Sequence, residues 1–293
     1  MRGAPSRGVG VRSAPSRGVA TGEEAAGQAP GADGWDAHVH VFDAAAPTVP
    51  GHYAPAHRPL SRIEALAAGV GATRLVIVQP SVYGADHAVM LRALAHGAGR
   101  HRGVAVLDAS VDDAMLDALH AAGVRGARFN RVSPVGHGGD PARDHAALAP
   151  RLAERGWHLQ WYAPLRELAA IAPLHARGGP VAVLDHLAGI HAGVPDDDPC
   201  WGALARLADA GAWVKLSGWY RLGTAAPWDA LRGAIRRVHA LFGERLAWGS
   251  DWPHTSYAPG AAPDYASTFA PVVAALGAAE ARRVLSGAGR FYG

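Results

Sequence analysis

The feature that most restricts what this chain can fold into is an alternation. From Trp35 onward, short apolar runs are separated by longer stretches of helical periodicity. Eight runs read as strands: Trp35–Val41, Leu75–Gln79, Gly103–Leu107, Gly126–Phe129, Trp157–Tyr162, Val181–Leu184, Trp213–Leu216 and Leu246–Trp248. Between them Ala85–Ala95, Asp112–Ala121, His145–Arg155, Leu165–Leu174, Trp201–Ala210 and Asp229–Leu241 read as helices, with Asp112 and Asp144 as N-caps whose carboxylates accept from orphan backbone N–H groups. A strand followed by a helix, eight times over about 260 residues, predicts an α/β fold, a closed (β/α)8 TIM barrel. An open doubly wound sheet needs fewer strands. It would also carry a Gly-x-Gly-x-x-Gly turn after its first strand, and none is present.

The first 33 residues behave differently. Ala-Pro-Ser-Arg-Gly-Val occurs at Ala4–Val9 and again at Ala14–Val19, in a stretch of Gly, Pro, Ala and Ser. Such a composition buries too little apolar surface to offset the entropy of ordering, so 1–33 is expected to be a disordered tail before a single domain over 34–293. No apolar run approaches the roughly 18 residues of a membrane span, and the basic start lacks the apolar core of a secretory leader; the expectation is a cytoplasmic protein without membrane contact. Cys200 is the only cysteine, which excludes intrachain disulfides and leaves any metal to histidines and carboxylates. The formal charge is +3, Lys215 is the sole lysine, and no block of like charge appears, so nucleic acid is not an expected partner. Oligomeric state is not written in the sequence.

In such a barrel the chemistry collects at the C-terminal ends of the strands. Here those ends read Asp36-Ala37-His38-Val39-His40, Gln79-Pro80-Ser81, Arg128-Phe129-Asn130-Arg131, Tyr162, Asp185-His186, Lys215-Leu216-Ser217-Gly218 with Tyr220-Arg221, and Trp248-Gly249-Ser250-Asp251-Trp252-Pro253-His254. Buried carboxylates and guanidinium groups are costly unless paired or functional, and stability alone does not explain their accumulation at one end. The strand period of two places Asp36, His38 and His40 on one face and Ala37 and Val39 on the other. A carboxylate beside imidazoles serves as a general base if partial burial lifts its pKa, and arginine forks suit a carboxylated substrate.

These motifs together resemble the amidohydrolase-related family, and within it the branch of 2-pyrone-4,6-dicarboxylate lactonase and related lactone hydrolases. The likeness runs from Trp35 to Arg290-Phe291-Tyr292. It implies that Asp251 takes a proton from the attacking water, and that His38, His40 and His186 surround the scissile carbonyl. Ser81, Tyr162 and Tyr53 would hydrogen-bond the substrate, and Arg128 and Arg221 would hold its carboxylate. One departure stands out: where the dicarboxylate lactonase has a further arginine, this chain has Pro134, and Arg131 is the residue nearby that can replace it.

The two-metal members of the superfamily use a bridging anion on strand 4 and a histidine on strand 5. Arg128 and Tyr162 stand there instead, and a fixed positive charge opposes such a centre. The expected enzyme is therefore a hydrolase that opens a small anionic lactone without a required metal. The alternative is one divalent ion, zinc by preference, on His38, His40 and Asp251, as in a single-zinc decarboxylase of aromatic acids. Lys215 as a Schiff-base lysine has no other support, and His254 is placed to line the pocket.

Overall fold

The computed structural model describes residues 34–175, 178–258 and 260–293, with Met1 and Gly3; the tail expected over 1–33 otherwise lies outside the described residues. Eight parallel strands run in the order β1 to β8. They are β1 (Gly34–Val39), β2 (Ala72–Val78), β3 (Arg102–Val106), β4 (Val124–Asn130), β5 (His158–Tyr162), β6 (Ala182–Leu184), β7 (Trp213–Leu216) and β8 (Leu246–Trp248). The helices between and after them are α1 (Leu60–Ala68), α2 (Ala88–His96), α3 (Asp113–Ala121), α4 (Pro141–Glu154), α5 (Leu168–Ile171), α6 (Cys200–Asp209), α7 (Arg232–Phe242), α8 (Ala270–Leu276), α9 (Ala278–Gly287) and α10 (Gly289–Tyr292). The (β/α)8 barrel expected from the alternation is the observed fold.

The strands divide two apolar layers. Leu75 and Ile77 of β2 belong to the large cluster with Leu60, Ile63 and Ala67 of α1. Val76 and Val78 belong to the smaller one with Trp35, Ala37, Val104, Ala247 and Tyr292. Alternate residues thus face the helices and the barrel interior, as the pleat requires. The floor of the interior is filled from the C-terminus: Tyr292 stacks on Trp35 and its hydroxyl bonds His158 Nε2 at 3.2 Å. His158 lies flat over Gly126, where any Cβ would come within 2.1 Å of its ring.

Asp112 caps α3 through Met115 N, as expected. The second cap does not fall at Asp144. Asp140 caps α4 through Ala142 N, and Asp144 sits in the first turn. The reason is Pro141, which starts a helix well because its fixed φ is helical and it lacks the N–H that would be orphaned there, while Asp140 before it is held extended.

The seam between β8 and β1 carries no ladder. It is closed by a single parallel bridge, Val39 to Trp252, with His40 N donating to the Trp252 carbonyl at 2.8 Å and Asp251 N to the His38 carbonyl at 2.9 Å. Among the described residues no helix is long and apolar enough to cross a membrane.

Candidate active site

The seam is where the polar groups meet. Between Asp36, which pairs with Leu75, and Val39, which pairs with Ile77, β1 spends three steps against two on β2. That bulge reverses the side-chain parity. Asp36 therefore does not share a face with His38 and His40, contrary to the strand-period expectation. It turns to the helix side, where Oδ1 accepts from His38 N (3.1 Å) and Ser250 N (2.9 Å) and Oδ2 from the Tyr265 hydroxyl (2.7 Å). Burial pushes its pKa up to about 6. Asp36 is the strap that ties the His38 segment to the Ser250–Asp251 segment.

On the inner side Asp251 Oδ1 faces three imidazoles: His40 Nε2 at 3.4 Å, His38 Nε2 at 3.5 Å and His186 Nε2 at 4.0 Å. Oδ2 is held by the Tyr220 hydroxyl at 2.7 Å and by Arg221 Nε at 2.8 Å. Burial alone would raise the Asp251 carboxyl, but Arg221, His186, His40 and His38 hold it well below the usual carboxylate range. The expected lifting of the Asp251 pKa toward neutrality is thereby overturned: desolvation is the largest single effect, but Arg221 and the neighbouring groups together outweigh it. Asp251 has φ +59°, and His186, Leu187 and Ala188 have φ +51°, +52° and +55°. Left-handed backbone at non-glycine residues is strained, and it is concentrated at the two strand ends that deliver the carboxylate and the third imidazole.

The rings are oriented from behind. His40 Nδ1 donates to the Val78 carbonyl at 2.7 Å, His186 Nδ1 shares a hydrogen bond with Ser217 Oγ at 3.0 Å, and His38 Nδ1 faces Asp185 Oδ1 at 3.2 Å. A carbonyl only accepts, so His40 carries a proton on Nδ1 and turns Nε2 toward the site. Burial lowers His38 well below its ordinary value and His186 to about 4, so both rings are neutral. At the centre, both His38 nitrogens, His186 Nε2, Asp185 Oδ1 and Asp251 Oδ1 are buried atoms without a hydrogen-bond partner. Buried polar groups left so are ones that a water, a cation or a substrate oxygen would satisfy.

The donor set fits a single cation as well as a water. His38, His40 and Asp251 offer ligand atoms within 4.8 Å of one another. A ring that donates backward from one nitrogen and offers the other is the usual state of a metal-bound histidine. A bridging anion for a second metal is not available at β4, where Arg128 stands.

Around this centre, Arg128 and Arg221 place Cζ 5.3 and 5.7 Å from the Tyr162 ring, and Tyr162 packs edge-on against His186 at 4.6 Å. Tyr53 is half-buried and packs edge-on against Phe42, with ring centroids 6.1 Å apart. Ser81 is buried and accepts from Asn130 Nδ2 at 2.9 Å; no contact joins it to Asp251 among the described residues. Arg131 does not stand in for the arginine absent at Pro134. Its guanidinium is taken by Glu167, by the Gly139 carbonyl at 3.0 Å and by the His137 carbonyl. His254 is buried beside Tyr220, with its Nε2 used on the Ser250 carbonyl at 3.0 Å. Sequence reasoning assigned no role to Asp185, Gln160 or Tyr220. The polar residue types were visible, but nothing local says that they converge. An open depression at the opposite, N-terminal face is lined by Arg283 and Arg290, and these pair with Glu280 and Glu244.

The chain has known relatives. Residues 35–293 match the amidohydrolase family, and the chain belongs to it. It is 32% identical over 234 residues to a 2-pyrone-4,6-dicarboxylate hydrolase of Comamonas testosteroni, covering 75% of this chain and 76% of that protein. To a 4-sulfomuconolactone hydrolase of Rhizobium radiobacter it is 30% identical over 240 residues, 76% of each chain. Among solved structures it is similar to one from Pseudomonas putida described as a 2-pyrone-4,6-dicarboxylic acid hydrolase. There the TM-score is 0.77 at 28% identity, over 89% of this chain and 98% of that one.

Proposed function

We propose that this chain hydrolyses the ester bond of a small carboxylated lactone, with Asp251 taking the proton of the attacking water. The observation that carries the reading is the convergence of Asp251 Oδ1 with the Nε2 atoms of His38, His40 and His186, inside 4.0 Å. Arg128 and Arg221 stand beside it at Tyr162. Tyr220 and Arg221 hold Asp251 by Oδ2, so Oδ1 is aimed at the water. His186 can accept from Ser217 through Nδ1 and donate from Nε2, which makes it the neutral donor for the oxyanion; such a donor contributes about 2.7–4 kcal/mol. Arg128, with Tyr162, Tyr53 and Ser81, receives the substrate's carboxylate and ring. The lactone hydrolases among the relatives support this choice over decarboxylation of an aromatic acid.

One observation favours a second version of the same reaction. His40 turns Nε2 inward beside an Asp251 held well below the carboxylate range, and with His38 they form a weak base set for water but a good ligand set for a divalent cation. His38, His40 and Asp251 would hold it, and the cation would supply water of lowered pKa.

A panel of lactones with and without a carboxylate, assayed at neutral pH for the ring-opened acid, tests the function. Turnover confined to carboxylated lactones is expected; release of carbon dioxide from aromatic acids without any lactone opening would overturn it. Asp251→Asn should lower kcat by about 10²–10⁴-fold while the protein still unfolds cooperatively, at a lower midpoint because the Arg221 pair is lost, and a folded variant near native activity would remove Asp251 from the base role. Metal content with activity before and after chelation separates the two versions. Stoichiometric zinc whose removal abolishes turnover selects the cation, and undiminished activity of metal-free protein selects the unaided site.

A further inference from the structure

Beneath the reaction centre, Lys215, Gln160 and Asp185 form a buried polar group that the mechanism above leaves unused, and it touches Arg128 and His38. Lys215 Nζ donates to Gln160 Oε1 at 2.6 Å, which fixes the Gln160 amide so that its Nε2 donates to Asp185 Oδ2 at 3.0 Å. Arg128 Nε donates to the same Oδ2, also at 3.0 Å. Oδ1 is left facing His38 Nδ1 at 3.2 Å, a charge contact in which neither atom has an aligned hydrogen bond, with Lys215 Nζ at 3.9 Å. All five residues are at most 3% exposed. A buried ion pair with well-aligned partners on one oxygen only, and an imidazole on the other, does more than fill the barrel.

We propose that Asp185 is a positioning residue: it fixes the proton of His38 on Nδ1, so that Nε2 offers a lone pair to the reaction centre, and it anchors Arg128 by Nε, leaving both terminal NH2 groups for the substrate's carboxylate. A bare Nδ1 lone pair against a carboxylate oxygen at 3.2 Å is repulsive, so the proton belongs there. The rival acceptor, Asp251 Oδ1, is farther from Nε2, at 3.5 Å, and is shared with His40 and His186. One ionised oxygen pair thus connects the proton-handling half of the site to the anion-binding half. The inference rests on His38 belonging to the reaction centre of the proposed hydrolase.

The network makes a sharp prediction for Asp185→Asn. Arg128 Nε and Gln160 Nε2 both donate to the Oδ2 position, so the amide oxygen must stay there and the amide NH2 must face His38. That donor forces His38 Nδ1 to accept, and the ring proton moves to Nε2. Two-bond proton–nitrogen NMR of histidine-labelled protein reads the tautomer without substrate. His38 is assigned through His38→Gln, and spectra are taken after dialysis against a chelator so that a bound cation cannot dictate the result. The expected outcome is Nδ1–H in the native chain and Nε2–H in Asp185→Asn, with kcat on the lactone identified by the panel lower by about 10–100-fold. His38 protonated on Nε2 in the native chain would overturn the proposal, and so would an Asp185→Asn protein that keeps Nδ1–H and native kcat. If that variant fails to fold, the native tautomer alone decides. A lactone panel without turnover would sink the function and leave the tautomer standing.

Discussion

At the residue scale the site is governed by which partner each ionisable group finds. Asp251 is acidic because Arg221 and the imidazoles outweigh its burial, and it is therefore ionised across the neutral range. A depressed carboxyl that must be ionised to act loses function as pH falls through its pKa. Removing the guanidinium raises that pKa, so Arg221→Met should move the acidic limb of kcat/KM to higher pH. The same change should raise KM for a carboxylated lactone. A pH–rate profile checks both, and an unmoved limb would show that Arg221 serves substrate alone. His38, His40, His186 and Asp251 were legible in the sequence because they fall at strand ends in a pattern of residue types. Asp185 was not assigned a role, since its partners Arg128 and Gln160 lie 57 and 25 positions away, and no local spacing encodes them.

At the element scale one inserted residue in β1 decides more than any propensity. The period of two is sound for a regular strand, but the bulge sends Asp36 to the helix side and brings His38 inward. Such a bulge leaves no clear mark in Asp-Ala-His-Val-His. Its counterpart just past β8 is Gly249, where a Cβ would stand 2.6 Å from His38 Cβ and 2.9 Å from His38 N. Both contacts involve atoms that cannot swing away. Gly249→Ala should therefore destabilise the fold by about 1–3 kcal/mol, and it should cost activity beyond that by displacing His38. Urea unfolding beside kcat separates the two effects. A variant with native stability and kcat would mean that the seam is more pliant than its packing indicates.

At the scale of the whole molecule, the barrel is built from both ends. The open seam between β8 and β1 is held by one bridge and the Asp36 strap, at the mouth where the reaction centre lies. The floor is closed by Tyr292, buried against Trp35 and His158. Tyr292→Ala empties the floor and should cost about 3–5 kcal/mol of stability, read as a fall in the urea midpoint; a midpoint within error of native would show that the interior collapses to fill the space. The sequence alone determined the alternation of eight strands and helices, because periodicity and turn residues act locally. It also determined the residue types gathered at the strand ends, because a parallel barrel must bring those ends together. Only the tertiary structure decided which of them face one another. It put Asp36 behind the strand, spent Arg131 on Glu167, and set Asp185 beneath His38 and Arg128. The physical reason is that burial and pairing of charge depend on distances between residues far apart in the chain, and a one-residue bulge at the closing seam resets them all.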